Sequence, residues 1–83
     1  MSVLQKIQFQ RTDDDGSMGF LLYGLVELSD GSGYKLETRE EHYNARGDNT
    51  GFERNNYLYD DYGQAHEQYE TWVAEAFEGG WSA

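Results

Sequence analysis

The chain has 83 residues, a formal net charge of −10, and neither cysteine nor proline. A chain of this length forms one domain, residues 1–83, with a small core, and the lack of cysteine excludes disulfides and thiolate metal sites. Its 6 Lys and Arg residues are scattered among 16 Asp and Glu residues, so direct binding to the phosphates of nucleic acid is disfavoured. The longest apolar stretch, residues 18–26, is too short to cross a membrane, and we expect a cytoplasmic protein without membrane contact.

The first third of the chain predicts a hairpin. Residues 3–11 alternate between polar and apolar side chains with the period of a half-buried strand, which places Val3 and Phe9 on the same side. The acidic, glycine-containing segment 13–17 then supplies a turn. Residues 18–28 are apolar on both faces, as in a central strand whose second face is covered by another layer or left open for a partner. That second face carries Leu21, Tyr23 and Leu25.

The rest of the chain predicts more strand, a loop and a helix. Residues 34–39 alternate as a third, more polar strand, residues 44–51 are rich in turn formers and predict a flexible loop, and residues 52–58 carry a fainter strand pattern. An amphipathic helix is predicted after Asp61, which caps its start, and before Gly79, which ends it. Its apolar stripe consists of Ala65, Tyr69, Trp72, Val73, Ala76 and Phe77. The predicted fold class is α+β: an antiparallel three- to four-stranded meander packed by one C-terminal amphipathic helix.

The last third of the chain concentrates negative charge. Residues 57–83 contain six carboxylates and no Lys or Arg, interleaved with aromatic side chains. Acidic side chains at three- and four-residue spacing on a helix lie about 5–6 Å apart, so this surface repels nucleic acid and attracts the basic channels that bind it. The residues expected to bind a partner are Asp60, Asp61, Glu67, Glu70, Glu75, Glu78, Tyr57, Tyr59 and Tyr62. Tyr69, Trp72 and Phe77 are expected in the core, which leaves Trp81 free beside the three tyrosines.

The residue patterns do not predict catalysis or metal binding. A cysteine nucleophile is absent, the serines lie outside any nucleophile-elbow motif, and the carboxylates lie in turns and on a solvated helix face. Residues 66–70 lack the second histidine of a zinc-protease helix, and the turn at residues 13–16 lacks the alternating acids and final glutamate of a calcium loop. We therefore expect no enzyme activity, no cofactor and no metal site.

The chain resembles the small acidic inhibitors encoded by bacteriophages in its size, its lack of cysteine, its sheet-plus-helix pattern and segments such as residues 57–62 (YLYDDY). These inhibitors include anti-CRISPR proteins, anti-restriction DNA mimics and inhibitors of uracil-DNA glycosylase. The resemblance implies a stoichiometric inhibitor in the host cytoplasm. It would block, by charge mimicry, a nucleic-acid-binding surface of a CRISPR effector, restriction enzyme or repair enzyme. Arg39, Arg46 and Arg54 make the middle of the chain nearly neutral, which confines any decoy surface to one side of the molecule.

A second interpretation stays open beside the first. The apolar strand at residues 18–28 fits a small interaction module that forms a homodimer or docks a partner, with the acidity serving only solubility. Under that interpretation, Leu21→Glu or Leu25→Glu would disrupt a dimer that is insensitive to salt. Binding by the acidic end of the chain would instead weaken as salt rises.

Overall fold

The computed structural model describes residues 2–83, which form one antiparallel sheet and one helix. The strands lie in the sheet in chain order, and the helix follows the last of them. The elements are β1 (Ser2–Thr12), β2 (Met18–Glu27), β3 (Tyr34–Tyr43), β4 (Asn49–Tyr59) and α1 (Tyr62–Glu78). The predicted α+β meander with a C-terminal helix is confirmed, and the meander has four strands.

The β3–β4 hairpin is longer than the sequence pattern indicated. The two strands leave only residues 44–48 between them, so the flexible loop predicted over residues 44–51 is wrong. The connection is a tight turn in which Asn44 Oδ1 accepts hydrogen bonds from the backbone N–H groups of Arg46 (2.9 Å) and Asp48 (3.0 Å). The apolar alternation faded here because β4 is an edge strand with many polar side chains, and pairing with β3 rather than its own apolar content defines it.

The helix packs on one face of the sheet, and the core lies between the two layers. The buried residues form two neighbouring clusters, each containing residues from both layers. The first contains Leu25 and Leu36 of the sheet with Ala65 and Tyr69 of α1, and the second contains Phe9 and Leu21 of the sheet with Ala76 near the end of α1. Val26 is also buried, on the opposite face of the sheet. Complete burial of a large apolar side chain stabilises a fold by about 1.5–3 kcal/mol. A domain this small therefore depends heavily on these few side chains.

Two side chains lie where the sequence pattern did not place them. Phe77, expected in the core, is 53% exposed at the flank of the buried stripe, although its ring meets that of Phe9 edge to face at 5.0 Å. In β1 the pairing register shifts between Val3 and Gln5, so Leu4 is the extra residue of a β-bulge. Val3 consequently lies on the face opposite Phe9, and the prediction that the two share a side is wrong.

The helix covers the face of β2 that the second interpretation assigned to a partner. Leu21 and Leu25 are buried beneath α1, and Tyr23 is half-buried there. Phe20 and Leu22 belong to the uncovered face and are themselves half-buried. Leu21→Glu or Leu25→Glu would put a charge into the core and unfold the protein rather than test a dimer.

Both ends of α1 are stabilised by side chains. Asp61 Oδ2 accepts a hydrogen bond from the N–H of Gln64 at 3.1 Å, which is the predicted cap. At the other end the helix stops at Gly79, whose carbonyl oxygen accepts a hydrogen bond from Arg11 Nη1 of β1 at 3.3 Å. The guanidinium of Arg11 also lies 4.6 Å from the ring centroid of Trp81. The last helical turn has no basic residue of its own, so Arg11 supplies the positive charge that the negative end of the helix dipole favours.

Candidate acidic surface

Four carboxylates extend from α1 into solvent. Helical geometry points Glu67 and Glu78 away from the sheet and places Glu70 and Glu75 on the two flanks of the buried stripe, and all four are exposed. The helix has 17 residues, which at about 1.5 Å per residue gives a length of about 25 Å. The four side chains alone therefore provide roughly one negative charge per 6 Å of helix.

The sheet adds two carboxylates beside Glu75. A cleft of about 320 Å³ lies between α1 and the β3–β4 hairpin, and its lining includes Glu40, Glu53 and Glu75 together with the rings of Tyr57 and Trp72. With Glu40 and Glu53 included, the acidic side carries roughly one charge per 4 Å of helix length. That density is close to the one charge per about 3.4 Å of a single strand in duplex DNA.

The negative charge of this cleft acts on Tyr23, whose side chain also lines it. Burial raises the pKa of the Tyr23 phenol above its ordinary value of 10.0, and the negative charges of Glu40 and Glu75 raise it further. The shift therefore reports that the cleft is partly desolvated and negatively charged around Tyr23.

The register of the β3–β4 hairpin pairs like charges on both faces. Glu40 lies directly opposite Glu53 on the helix side of the sheet, and Arg39 lies directly opposite Arg54 on the uncovered side. Like charges directly opposite each other across an antiparallel pair are destabilising, by an amount on the order of 0.2–1 kcal/mol. The two pairs concentrate negative charge on the helix side and positive charge on the other.

The uncovered face of the sheet holds four of the chain's 6 Lys and Arg residues. Strand register and alternation bring together Lys6, Lys35, Arg39 and Arg54. Lys35 Nζ lies 2.9 Å from Glu37 Oε1, and Arg39 Nη2 lies 2.6 Å from Glu41 Oε1, so each of these cations has an acidic neighbour on its own strand. Basic residues that were scattered in the sequence are gathered opposite the acidic surface.

The acids expected at the start of the helix are exposed but differ in their contacts. Asp60 follows the last residue of β4 and is open to solvent. Asp61 is also exposed, but its carboxylate already accepts the capping hydrogen bond from Gln64. Asp60 can therefore contact a partner without losing a contact that stabilises the fold. A partner that binds the Asp61 carboxylate would compete with the capping hydrogen bond from Gln64.

The three tyrosines expected to bind a partner are not equally accessible. Tyr57 and Tyr62 are each 43% exposed, and Tyr57 rests edge-on against Trp72 at 5.3 Å between ring centroids. Tyr59 is half-buried against the first core cluster, and Trp81 is half-buried against the second. The expectation that Tyr59 and Trp81 are free is wrong, because both pack on the core.

Sequence reasoning missed two carboxylates of this surface, Glu40 and Glu53. Strand alternation in β4 puts Glu53 on the same face as Asn55 and Tyr57, and that signal was present in the sequence. Glu40 becomes the neighbour of Glu53 only in the hairpin register that accompanies a tight turn at residues 44–48.

The two histidines lie apart, each beside one carboxylate. His42 Nε2 is 3.2 Å from Glu40 Oε2, and His66 Nε2 is 3.2 Å from Glu70 Oε1. Within residues 2–83, no group of three or more His, Cys, Asp or Glu side chains is arranged to hold a metal ion. The same stretch of chain contains no helix that is both long and apolar enough to span a bilayer.

Comparisons of the chain with protein-family models, with curated proteins and with solved structures find no match.

Proposed function

We propose that the protein is an inhibitor that occupies a basic nucleic-acid-binding surface of a defence or repair protein by imitating the charge of a nucleic acid strand. The observation that supports this proposal is the separation of charge between the two sides of the molecule. The carboxylates of α1 share one side with Glu40 of β3 and Glu53 of β4. Four of the 6 basic residues share the other side, where Glu37 and Glu41 pair with two of them. Arg11 does reach the helix, but at its far end, where it binds Gly79.

Solubility alone does not explain this arrangement. A high net charge keeps a protein soluble wherever the charges lie, whereas Glu53 faces Glu40 across the hairpin at a local loss of stability. A lysine at position 53 would remove that repulsion. The presence of Glu53 is better explained by a need for negative charge in the cleft between α1 and the β3–β4 hairpin.

The surface also offers contact area. Tyr57 lies within the acidic cleft, and Tyr62 lies at the first turn of α1, where its ring stacks on that of His66 at 5.4 Å. Both rings are accessible and held by their neighbours, as is typical of the aromatic residues that anchor protein interfaces. Charge would speed the encounter with a basic target, and these rings would lengthen the life of the complex.

The experiment that tests the proposal is competition for DNA. A purified CRISPR effector complex, a restriction enzyme and uracil-DNA glycosylase are each bound to labelled DNA, and the protein is titrated in at roughly 0.05 M and 0.5 M salt. We expect stoichiometric displacement of DNA from one of these targets, and weaker displacement at the higher salt concentration. Failure to displace DNA from any of the three contradicts the proposal.

A pair of matched variants separates the surface from the overall charge. Combining Glu53→Gln with Glu75→Gln removes two charges from the cleft and should weaken displacement by at least about tenfold, since each charged contact is worth on the order of 1 kcal/mol. Combining Asp13→Asn with Asp14→Asn removes two charges from the β1–β2 turn and should weaken it by less than about threefold. Equal losses would show that net charge, not the cleft, drives the interaction.

The second interpretation, docking through residues 18–28, loses much of the surface it was expected to use. One face of β2 is covered by α1, and on the other face Val26 is buried. The most exposed large apolar side chains lie on the two edge strands instead, at Val3, Phe52 and Leu58.

A further inference from the structure

The two edges of the sheet are protected to different degrees. β1 is interrupted by the bulge at Leu4, carries Lys6, and at Gln10 exchanges backbone hydrogen bonds of 2.8 and 3.0 Å with Ser82. A bulge, a lysine and a covering segment are three of the means by which proteins prevent another strand from adding to an edge. The β1 edge is therefore closed along much of its length.

The β4 edge has less of this protection, because its own register shift lies at the start of the strand, between Asn49 and Gly51. Its pairing with β3 is regular from Gly51 to Tyr59, and the chain has no proline to interrupt it. Within residues 2–83, no backbone hydrogen bond joins β4 to any segment other than β3. Every second residue of such an edge directs its N–H and C=O groups outward. The uncovered face of this strand also carries Phe52, which is 58% exposed, and Leu58, which is 73% exposed.

We propose that β4 pairs with β4 of a second copy of the chain, antiparallel, about a two-fold axis at Asn55. With the axis perpendicular to the sheet, the two sheets join into one and both helices lie on the same side. Phe52 then lies opposite Leu58 of the second copy, and Glu53 lies opposite Tyr57 of the second copy. The symmetry makes each of these contacts twice.

The sequence of β4 favours this register over its neighbours. An axis at Asn56 would also join two amides, but it would set Leu58 opposite Arg54 of the second copy. An axis at Arg54 would bring two Arg54 side chains together, and an axis at Glu53 would bring two Glu53 side chains together, both of which are repulsive. An axis at Asn55 joins two amides, which both donate and accept hydrogen bonds. It also brings together the two large apolar side chains that the isolated β4 leaves in water.

The dimer does not depend on the proposed inhibitor function, and the two respond to salt in opposite ways. Two copies, each with a net charge of −10, repel each other, so screening should strengthen their association. Binding of the acidic surface to a basic target should weaken under the same conditions. A strand-edge contact buries less than the roughly 800 Å² per partner of a standard interface, so we expect dissociation in the micromolar range.

The test is sedimentation velocity of the full chain over a range of concentrations at roughly 0.05 M and 0.5 M salt. As the protein concentration increases, we expect the mass to rise from 9.6 kDa toward twice that value. This rise should occur at lower protein concentration in the high-salt buffer than in the low-salt buffer. Phe52→Lys should weaken the dimer by at least about tenfold, because the symmetry counts the substitution twice. The new lysine lies opposite Glu41 within its own sheet, so the monomer should remain folded.

Two further variants make the test specific to the register. Adding Leu58→Glu to Phe52→Lys should restore the dimer, because each new lysine then faces a glutamate of the second copy. The monomer should again remain folded, because residue 58 lies opposite Lys35 within its own sheet. Val3→Lys changes a side chain that is 63% exposed on the β1 edge and should leave the dimer unchanged. A monomer under all conditions, or equal sensitivity to Val3→Lys, overturns the proposal. A double variant no better than Phe52→Lys overturns the Asn55 register.

Discussion

Glu53→Lys should make the protein more stable and its acidic surface less effective. Glu53 lies directly opposite Glu40 on the helix side of the β3–β4 hairpin, and Glu53 is open to solvent. The substitution exchanges a repulsive cross-strand pair for an attractive one and leaves the core untouched. We expect a higher melting temperature at low salt together with weaker displacement of DNA from the target.

The size of the effect follows from the geometry of the pair. Side chains directly opposite each other have Cβ atoms about 4.5–5.5 Å apart, and two unit charges about 6 Å apart in water interact by about 0.7 kcal/mol. Reversing one charge turns this repulsion into an attraction of similar size, so the interaction energy changes by twice that value. Side-chain entropy and screening reduce the gain in stability to about 0.5–1 kcal/mol. For a domain of this size that corresponds to roughly 2–8 °C in Tm. At about 1 M salt the screening length falls to about 3 Å, and most of the gain should vanish.

The measurement is thermal unfolding of dilute protein followed by circular dichroism at low and high salt. Glu67→Lys is the matched control, because it changes the net charge equally from the outward face of α1. Glu53→Gln retains the oxygen that accepts a hydrogen bond from Asn55 Nδ2 at 3.1 Å and should give about half the gain. If Glu53→Lys stabilises the protein no more than Glu67→Lys at low salt, the pair with Glu40 is not destabilising, and the reasoning fails.

Two further predictions concern the helix end and the first turn. Arg11→Ala should lower the free energy of unfolding by about 1 kcal/mol, because it removes the hydrogen bond to Gly79 O and the positive charge at the helix C-terminus; an unchanged midpoint in urea would contradict this. Hydrogen bonds from the hydroxyl and then the N–H of Ser17 lower the pKa of Asp15 below 3.8, so the stability it contributes is present above its unfolded pKa and is lost as pH falls through the lower folded value. Asp15→Asn should therefore flatten the acid limb of the stability curve below about pH 4, while Asp14→Asn should flatten it less in the same titration.

The parts of the fold that were predictable are those fixed by local chemistry. The alternation of the first strand after its bulge at Leu4, the acidic turn that follows, and the helix between Asp61 and Gly79 each depend on residues close together in the chain. Both ends of the helix could be predicted because a side-chain cap and a glycine pair act within one turn. Helical spacing alone likewise predicts that Glu67 and Glu78 point outward from α1.

The parts that were missed depend on neighbours distant in the sequence. Phe77 has helical spacing suited to the core, but it lies at the flank of the buried stripe, where only an edge-to-face contact with Phe9 covers it and 53% of it stays exposed. Tyr59 and Trp81 looked free because no local pattern showed that they pack on the core. The charge separation was hidden for the same reason, since strand register and not sequence proximity brings Arg39 to Arg54.

The register of β4 is set by packing rather than by charge. A shift of one residue would place Glu40 opposite Arg54 and match their charges, but it would also turn Tyr57 and Tyr59 away from the helix. Each of these two rings is only about half-buried, so together they gain roughly the 1.5–3 kcal/mol of one fully buried large side chain. A cross-strand charge pair is worth at most about 1 kcal/mol. Packing therefore fixes the face of the sheet on which residues 53 and 54 lie, but it does not determine the sign of their charges. Folding thus does not explain why this hairpin carries Glu on the helix side and Arg on the uncovered side. A requirement to bind a basic target would explain it.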